Sequence, residues 1–178
     1  LVVPGWEGNV WVKWVSRIEV TDAPVESREE TSKYTDVLDN GIARKWTWAM
    51  DAKSVVTSPS PQSPITHGTG PLVISGLAWT GRGTITRVDV SKDGGKTWET
   101  ARLAKEGEKM ALTRFYLDTE WDGSEMMLQS RAMDDTGYIQ PSKAQLREVR
   151  GLNSIYHNNC IQTWLVRSNG EAENVEVS

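Results

Sequence analysis

Three places in the sequence hold residues whose types and spacing could do chemistry. Toward the C-terminus, Arg147 and Arg150 lead into Gly151-Leu152-Asn153-Ser154-Ile155-Tyr156-His157-Asn158-Asn159, a polar stretch ahead of a terminal strand expected over Cys160 to Val166. A guanidinium presents a planar donor fork that matches two oxygens at once, so Arg150 suits an oxyanion; a surface salt bridge is the alternative. Near the N-terminus, Gly8-Asn9 precedes a strand-like run containing Lys13. Glycine-flanked backbone lets main-chain N–H groups approach an anion, and Lys13 would add a point charge; an ordinary turn with a solvated lysine needs no ligand. Between these, Tyr34 is a single phenol in the polar run Ser32-Lys33-Tyr34-Thr35-Asp36, where a surface tyrosine is the default.

Other chemistries find no support. There is no Gly-x-Ser-x-Gly elbow, no Walker loop and no dinucleotide fingerprint. The two histidines, His67 and His157, are 90 residues apart and make no metal cluster; the carboxylates are too scattered to single out a glycosidase pair. The lone Cys160 allows no internal disulfide and no multi-cysteine zinc site, and reads as a small buried thiol. A net charge of −4 without a basic stripe gives no electrostatic case for nucleic acid. No apolar run approaches the ~18 residues needed to cross a bilayer. The start at Leu1, without Met or a signal segment, reads as a mature, trimmed or partial product.

The scaffold for these residues is most legible from Leu72 to Leu103. Val88 and Val90 share one face with Thr86 in line, while Arg87 and Asp89 point away, the period of a half-buried strand. Asp93-Gly94-Gly95 tolerates positive φ, and Thr97, Trp98 and Thr100 restart a strand, which predicts a hairpin. Gly81-Arg82-Gly83 turns the preceding strand, Val73 to Trp79, into it. Thr113 to Leu117 and Glu125 to Met133 alternate again, separated by turns. Strands at this spacing predict an all-β, immunoglobulin-like β-sandwich, although the Cys–Trp–Cys marker of antibody domains is absent.

Upstream, Val10, Val12 and Trp14 predict a strand, and Ile18 and Val20 alternate with Arg17 and Glu19. Residues 21–49 are polar and irregular, with a helical turn expected at Ser27 to Glu30 and a short strand at Lys45 to Trp48. Such a stretch behaves as the tail of something larger rather than as a core. The proline-rich run from Ser54 to Pro71 is either an interdomain linker or an edge strand followed by a long loop. The boundary is therefore drawn between residues 1–51 and residues 52–178.

Four blocks together carry a resemblance. They are Val3-Pro4-Gly5-Trp6-Glu7-Gly8-Asn9 with Val12-Lys13-Trp14; Gly76-Leu77-Ala78-Trp79 through Val88-Asp89-Val90-Ser91 to Thr97-Trp98; Arg131-Ala132 and Asp134 with Ile139-Gln140-Pro141; and Arg150-Gly151 through Tyr156-His157. Jointly, and in this order, they resemble the C-terminal part of the sulfite oxidase family of molybdenum enzymes. The blocks at 29–36 and 153–159 are most similar to the sulfane dehydrogenase molybdenum subunits.

The resemblance implies the tail of a molybdopterin-binding domain over 1–51 and an immunoglobulin-like dimerisation domain over 52–178. It puts Gly8, Asn9 and Lys13 beside the pterin and its phosphate, Tyr34 on the active-site tyrosine, and Arg150 on the arginine that the dimerisation domain contributes to the oxyanion pocket. The cysteine that anchors the metal would lie upstream, so no metal ligand, bound cofactor or turnover is expected of this chain alone. The intact enzyme would carry molybdenum on molybdopterin, form a homodimer, work in the periplasm and pass electrons to a c-type cytochrome. Its exact sulfur substrate is not set by these residues. A free-standing immunoglobulin-like module, gripping carbohydrate or protein with its nine tryptophans, is the alternative.

Overall fold

The computed structural model describes residues 1–23, 25–28, 34–45, 48–105, 107–152 and 156–177. A 3-10 turn at Gly8–Val10 is followed by β1 (Thr35–Val37), β2 (Ala43–Lys45), β3 (Lys53–Ser58), β4 (Gly70–Trp79) and β5 (Ile85–Ser91). Then come β6 (Glu99–Thr100), β7 (Arg102–Leu103), β8 (Thr113–Trp121), β9 (Met126–Asp134), helix α1 (Lys143–Arg150), β10 (Thr163–Val166) and β11 (Ala172–Val175). One sheet has the order β3-β4-β8-β7 and the other β11-β10-β9-β5-β6, while β1 and β2 form a separate pair; every ladder between these strands is antiparallel.

Alternation along the strands builds the core between the sheets. Leu72, Ile74 and Ala78 of β4 and Phe115 and Leu117 of β8 face Val88, Val90, Leu128, Ala132 and Val166 of the second sheet. Phe115 is fully buried, a burial that contributes about 2–3 kcal/mol. Its ring occupies the space above Gly76, where a Cβ would lie 2.2 Å from the ring's Cζ. Gln140 ties the sheets together: its Oε1 accepts from the Ser54 N–H on β3 (2.8 Å), the Ser54 hydroxyl (2.7 Å) and the Ala132 N–H on β9 (3.1 Å).

Several expectations change at this level. The β5–β6 hairpin forms, but the strand predicted after it divides, β6 pairing in the five-stranded sheet and β7 in the four-stranded one. The ladder between β5 and β9 shifts register between Ile85 and Arg87, which puts Ile85 in the core and leaves Thr86 exposed. Asp89 is buried because it accepts hydrogen bonds from Arg87, Thr100 and Arg131. Val10 closes the 3-10 turn, the described residues after it form no strand, and Trp14, with φ 54°, breaks the direction of the run. Cys160 is buried as expected, yet it precedes the terminal strand rather than lying in it. The proline-rich run resolves as an edge strand, β3, followed by a loop that leaves His67 exposed. Of the expected turn at Ser27 to Glu30 and strand at Lys45 to Trp48, residues 29, 30, 46 and 47 lie outside the described residues.

Helix α1 has no counterpart in the sequence reading. Its signal is the Ser142-x-x-Gln145 capping box: the Ser142 hydroxyl accepts from the Gln145 N–H, and the Gln145 side chain accepts from the Ser142 N–H.

Candidate functional site

The N-terminal segment meets the sandwich along a short seam. Gly5 and Gly81 lie so close that a Cβ on Gly81 would fall 1.8 Å from the Gly5 carbonyl oxygen. The Met50 N–H donates to that carbonyl at 2.9 Å, and the Gly81 N–H donates to the Met50 carbonyl at 2.7 Å. Trp6 stacks on Trp48 with ring centroids 5.1 Å apart, and the Glu7 N–H donates to the Trp48 carbonyl. The seam thus delivers the Glu7 side chain to the sandwich.

Helix α1 delivers the opposing charge. Its last residue is Arg150, and Gly151 follows at φ 80°, where a Cβ would come within 2.5 Å of the Val37 carbonyl oxygen. This close approach sets Arg150 beside β1. Its Nη1 donates to Asp36 Oδ2 at 2.9 Å, and its Nη2 lies 3.7 Å from Asp51 Oδ2. Asp51 also accepts from Arg82 Nε at 2.8 Å and lies 3.1 Å from His157 Nε2. The other ring nitrogen of His157 meets the Glu7 carboxylate.

Carboxylates and cations therefore alternate along Glu7, His157, Asp51, Arg150 and Asp36, with Arg82 as a branch. The side chains of Arg150 and His157 are only 3% and 7% exposed. Burial alone would raise the Asp51 pKa, but the close approach of His157 and the hydrogen bond from Arg82 bring it down to about 2. Burial alone would likewise lower His157, yet the carboxylates of Asp51 and Glu7 beside its ring leave it above the ordinary histidine value.

Beside this cluster opens a cavity of about 310 Å³ lined by Gly8, Asn9, Tyr34, Lys53, Tyr156 and His157 among others. The Tyr34 and Tyr156 rings meet at 4.5 Å between centroids, tilted by 49°. Burial lowers the pKa of the Lys53 ammonium, which donates to the Asn158 carbonyl. Three of the residues singled out in the sequence, Gly8, Asn9 and Tyr34, thus share one cavity. Lys13 is exposed and outside its lining, and Arg150 is buried against Asp36 and Asp51 rather than opening into it. The sequence reading assigned no role to Glu7, Asp51 or Tyr156, and gave His157 none of its own. Glu7, Tyr156 and His157 stand inside the resembling blocks, which was the available signal; Asp51 carried none.

With this geometry in place, comparison with known proteins gives two matches to family models. Residues 44–164 match the Mo-co oxidoreductase dimerisation domain, and residues 1–29 match the oxidoreductase molybdopterin binding domain. The chain belongs to the Mo-co oxidoreductase dimerisation domain family. Among curated relatives of this dimerisation domain, sulfite oxidase of Gallus gallus is 33% identical over 88% of the chain and 37% of its own length. Mitochondrial sulfite oxidase of Rattus norvegicus is 30% identical over 91% of the chain and 32% of its own length. The crystal structure of the sulfane dehydrogenase SoxCD from Paracoccus pantotrophus is 69% identical, with a TM-score of 0.95, over 99% of this chain and 46% of that one. The dimerisation domain and its leading segment therefore span less than half the length of the proteins they match.

The molybdopterin match raises the question of whether the residues present suit such a group. The cavity offers two phenols, the Asn9 amide and a lysine, a donor set for the polar edge of an anionic organic molecule. Among the described residues no three His, Cys, Asp or Glu are grouped to hold a metal ion, and the Cys160 thiol is buried against Asn158 Oδ1 at 3.0 Å.

Proposed function

We propose that this chain is the C-terminal portion of a sulfane dehydrogenase-type molybdenum oxidoreductase. In this reading residues 1–51 complete the molybdopterin-binding domain, and residues 52–178 pair two copies into a homodimer. The observation that carries it is the 69% identity to the sulfane dehydrogenase structure across 99% of the chain. Two features of the molecule support it. The consecutive Gly8 and Asn9 line one cavity with Tyr34, which comes from a second segment. The N-terminal segment also exposes Val2, Trp11, Trp14, Ile18 and Val20, with Trp14 at 96% and Val20 at 95%, an apolar face suited to the remainder of a larger domain. Of the tryptophans, Trp121 is buried, Trp98 packs under Arg131, and the Trp164 indole N–H donates to the Val56 carbonyl, so these three build the sandwich rather than a sugar-binding platform.

When bound by the whole protein, the molybdenum–molybdopterin group supplies two-electron oxidation of a reduced sulfur atom. Gly8 and Asn9 would hold the pterin side through backbone N–H and amide groups, and Lys13, exposed beyond the lining, would add charge toward its phosphate. Tyr34 donates its phenolic hydrogen to a substrate oxygen. Arg150 anchors Asp36, two residues beyond Tyr34, and so steadies the phenol. The resemblance supports a c-type cytochrome as electron acceptor and a periplasmic location.

The test is sulfur-compound-dependent reduction of cytochrome c by the full-length enzyme and its Tyr34→Phe variant. Loss of one positioned donor lowers kcat by about 100-fold or more with the fold intact. Unchanged turnover in Tyr34→Phe, or no cytochrome reduction by the wild type with any reduced sulfur compound, refutes the reading.

A further inference from the structure

The backbone and the ring of Tyr34 are held by different parts of the chain. Thr35, Asp36 and Val37 of β1 pair with Lys45, Arg44 and Ala43 of β2, and Arg150 holds the Asp36 carboxylate at 2.9 Å. Those contacts fix the main chain beside Tyr34. They leave its two side-chain torsions open, and what the ring touches must choose among the staggered alternatives. The ring touches Tyr156, with centroids 4.5 Å apart and planes tilted by 49°, within the range of favourable aromatic pairs. Both rings line the cavity.

Tyr156 can dictate that geometry because the residues after it are tied down one by one. The His157 ring is buried beside Glu7 and Asp51. The Asn158 carbonyl accepts from Lys53 Nζ, and Asn158 Oδ1 accepts from the Cys160 N–H at 3.3 Å. The buried Asn159 amide donates to the Ala52 carbonyl at 3.1 Å and to the Tyr138 hydroxyl at 3.0 Å. The Ile161 N–H donates to the Pro141 carbonyl at 2.9 Å. Tyr156 itself is 51% exposed, so its ring serves the cavity rather than the core.

We infer that Tyr156 is a positioning residue, a ring presented by the dimerisation domain that sets the direction of the Tyr34 phenol. The inference rests on the reading of Tyr34 as donor to a substrate oxygen, and adds what aims that donor. The role belongs to the ring and not to the Tyr156 hydroxyl, since the contact is between the two ring planes. An aromatic pair of this kind favours its arrangement over the alternatives by about 2- to 10-fold. Losing it removes that factor from kcat. KM stays nearly unchanged, because a hydrogen bond that strengthens only as charge develops on the substrate oxygen acts in the transition state and not in the bound ground state.

The test compares Tyr156→Phe and Tyr156→Ala in the full-length enzyme, and Tyr156→Ala again in the Tyr34→Phe background, by sulfur-compound-dependent reduction of cytochrome c. Tyr156→Ala should lower kcat about 2- to 10-fold at unchanged KM, and Tyr156→Phe should keep the wild-type value. In Tyr34→Phe, whose ring has no hydroxyl to aim, Tyr156→Ala should cost nothing further. An undiminished kcat in Tyr156→Ala, an equal loss in Tyr156→Phe, or the same loss in both backgrounds overturns the inference. A readout independent of turnover is the fluorine resonance of Tyr34 in protein carrying fluorotyrosine, identified by its disappearance in Tyr34→Phe. It should move in Tyr156→Ala and hold its position in Tyr156→Phe. The two readouts separate the failures: a wild type without turnover refutes the proposed function, whereas an unmoved Tyr34 resonance in Tyr156→Ala refutes the positioning. Should Tyr156→Ala fail to fold, Tyr156→Leu, which keeps bulk without a planar ring, takes its place in both measurements.

Discussion

Replacing Arg150 by Met probes the buried charge cluster directly. Arg150 is 3% exposed and its first partner, Asp36, is 10% exposed, with 2.9 Å between Nη1 and Oδ2. Methionine keeps much of the apolar stem, removes the guanidinium and leaves the Asp36 carboxylate buried beside it. Asp51 still has Arg82 and His157, so the penalty falls on Asp36. Removing one partner of a buried pair destabilises by about 3–5 kcal/mol, whereas an exposed pair is worth about 0–1 kcal/mol. With a urea m-value of about 2 kcal/mol/M, the expected loss moves the unfolding midpoint down by about 2 M. The double variant Arg150→Met with Asp36→Asn should recover part of that loss, because the stranded charge is gone. Equilibrium urea unfolding at pH 7 reads both. A loss below about 1 kcal/mol at unchanged m would show that Arg150 and Asp36 are solvated, and the site as described would be wrong.

Two further outcomes follow from the same contacts. Gln140→Ala strips the buried Ser54 and Ala132 N–H groups of their shared acceptor, and should lower stability by about 2–4 kcal/mol in a calorimetric scan. Asp51, held at about 2, contributes stability that is fully present above its ordinary value of 3.8 and is lost as pH falls through about 2. That contribution is about 2 kcal/mol. Asp51→Asn should therefore be less stable than wild type at pH 7, with a flatter decline between pH 4 and pH 2 by circular dichroism.

Local pattern was enough for most of the sandwich. Val88 and Val90, the Asp93-Gly94-Gly95 turn and the alternation through Phe115 and Leu128 declare strands within a few residues of themselves, because side-chain period and turn geometry are short-range properties. Where the reading failed, a longer-range term prevailed. Val10, Val12 and Trp14 have strand alternation but, among the described residues, no neighbouring strand to bond, and Asp89 is buried by two arginines from β5 and β9. The helical start at Ser142 was encoded in its capping box and overlooked.

The candidate site divides in the same way. Tyr34, Gly8, Asn9 and Arg150 could be named from the blocks in which they stand, but not their neighbours. Glu7 and His157 are 150 residues apart, and Arg150 and Asp36 are 114 apart. Residue order determined an all-β chain, its turns and which family it resembles. Only the folded molecule decided that five ionisable side chains from distant segments, Glu7, Asp36, Asp51, Arg150 and His157, would be desolvated together, since the strength of an ion pair depends on who shares its burial, and burial is a property of the whole packed structure.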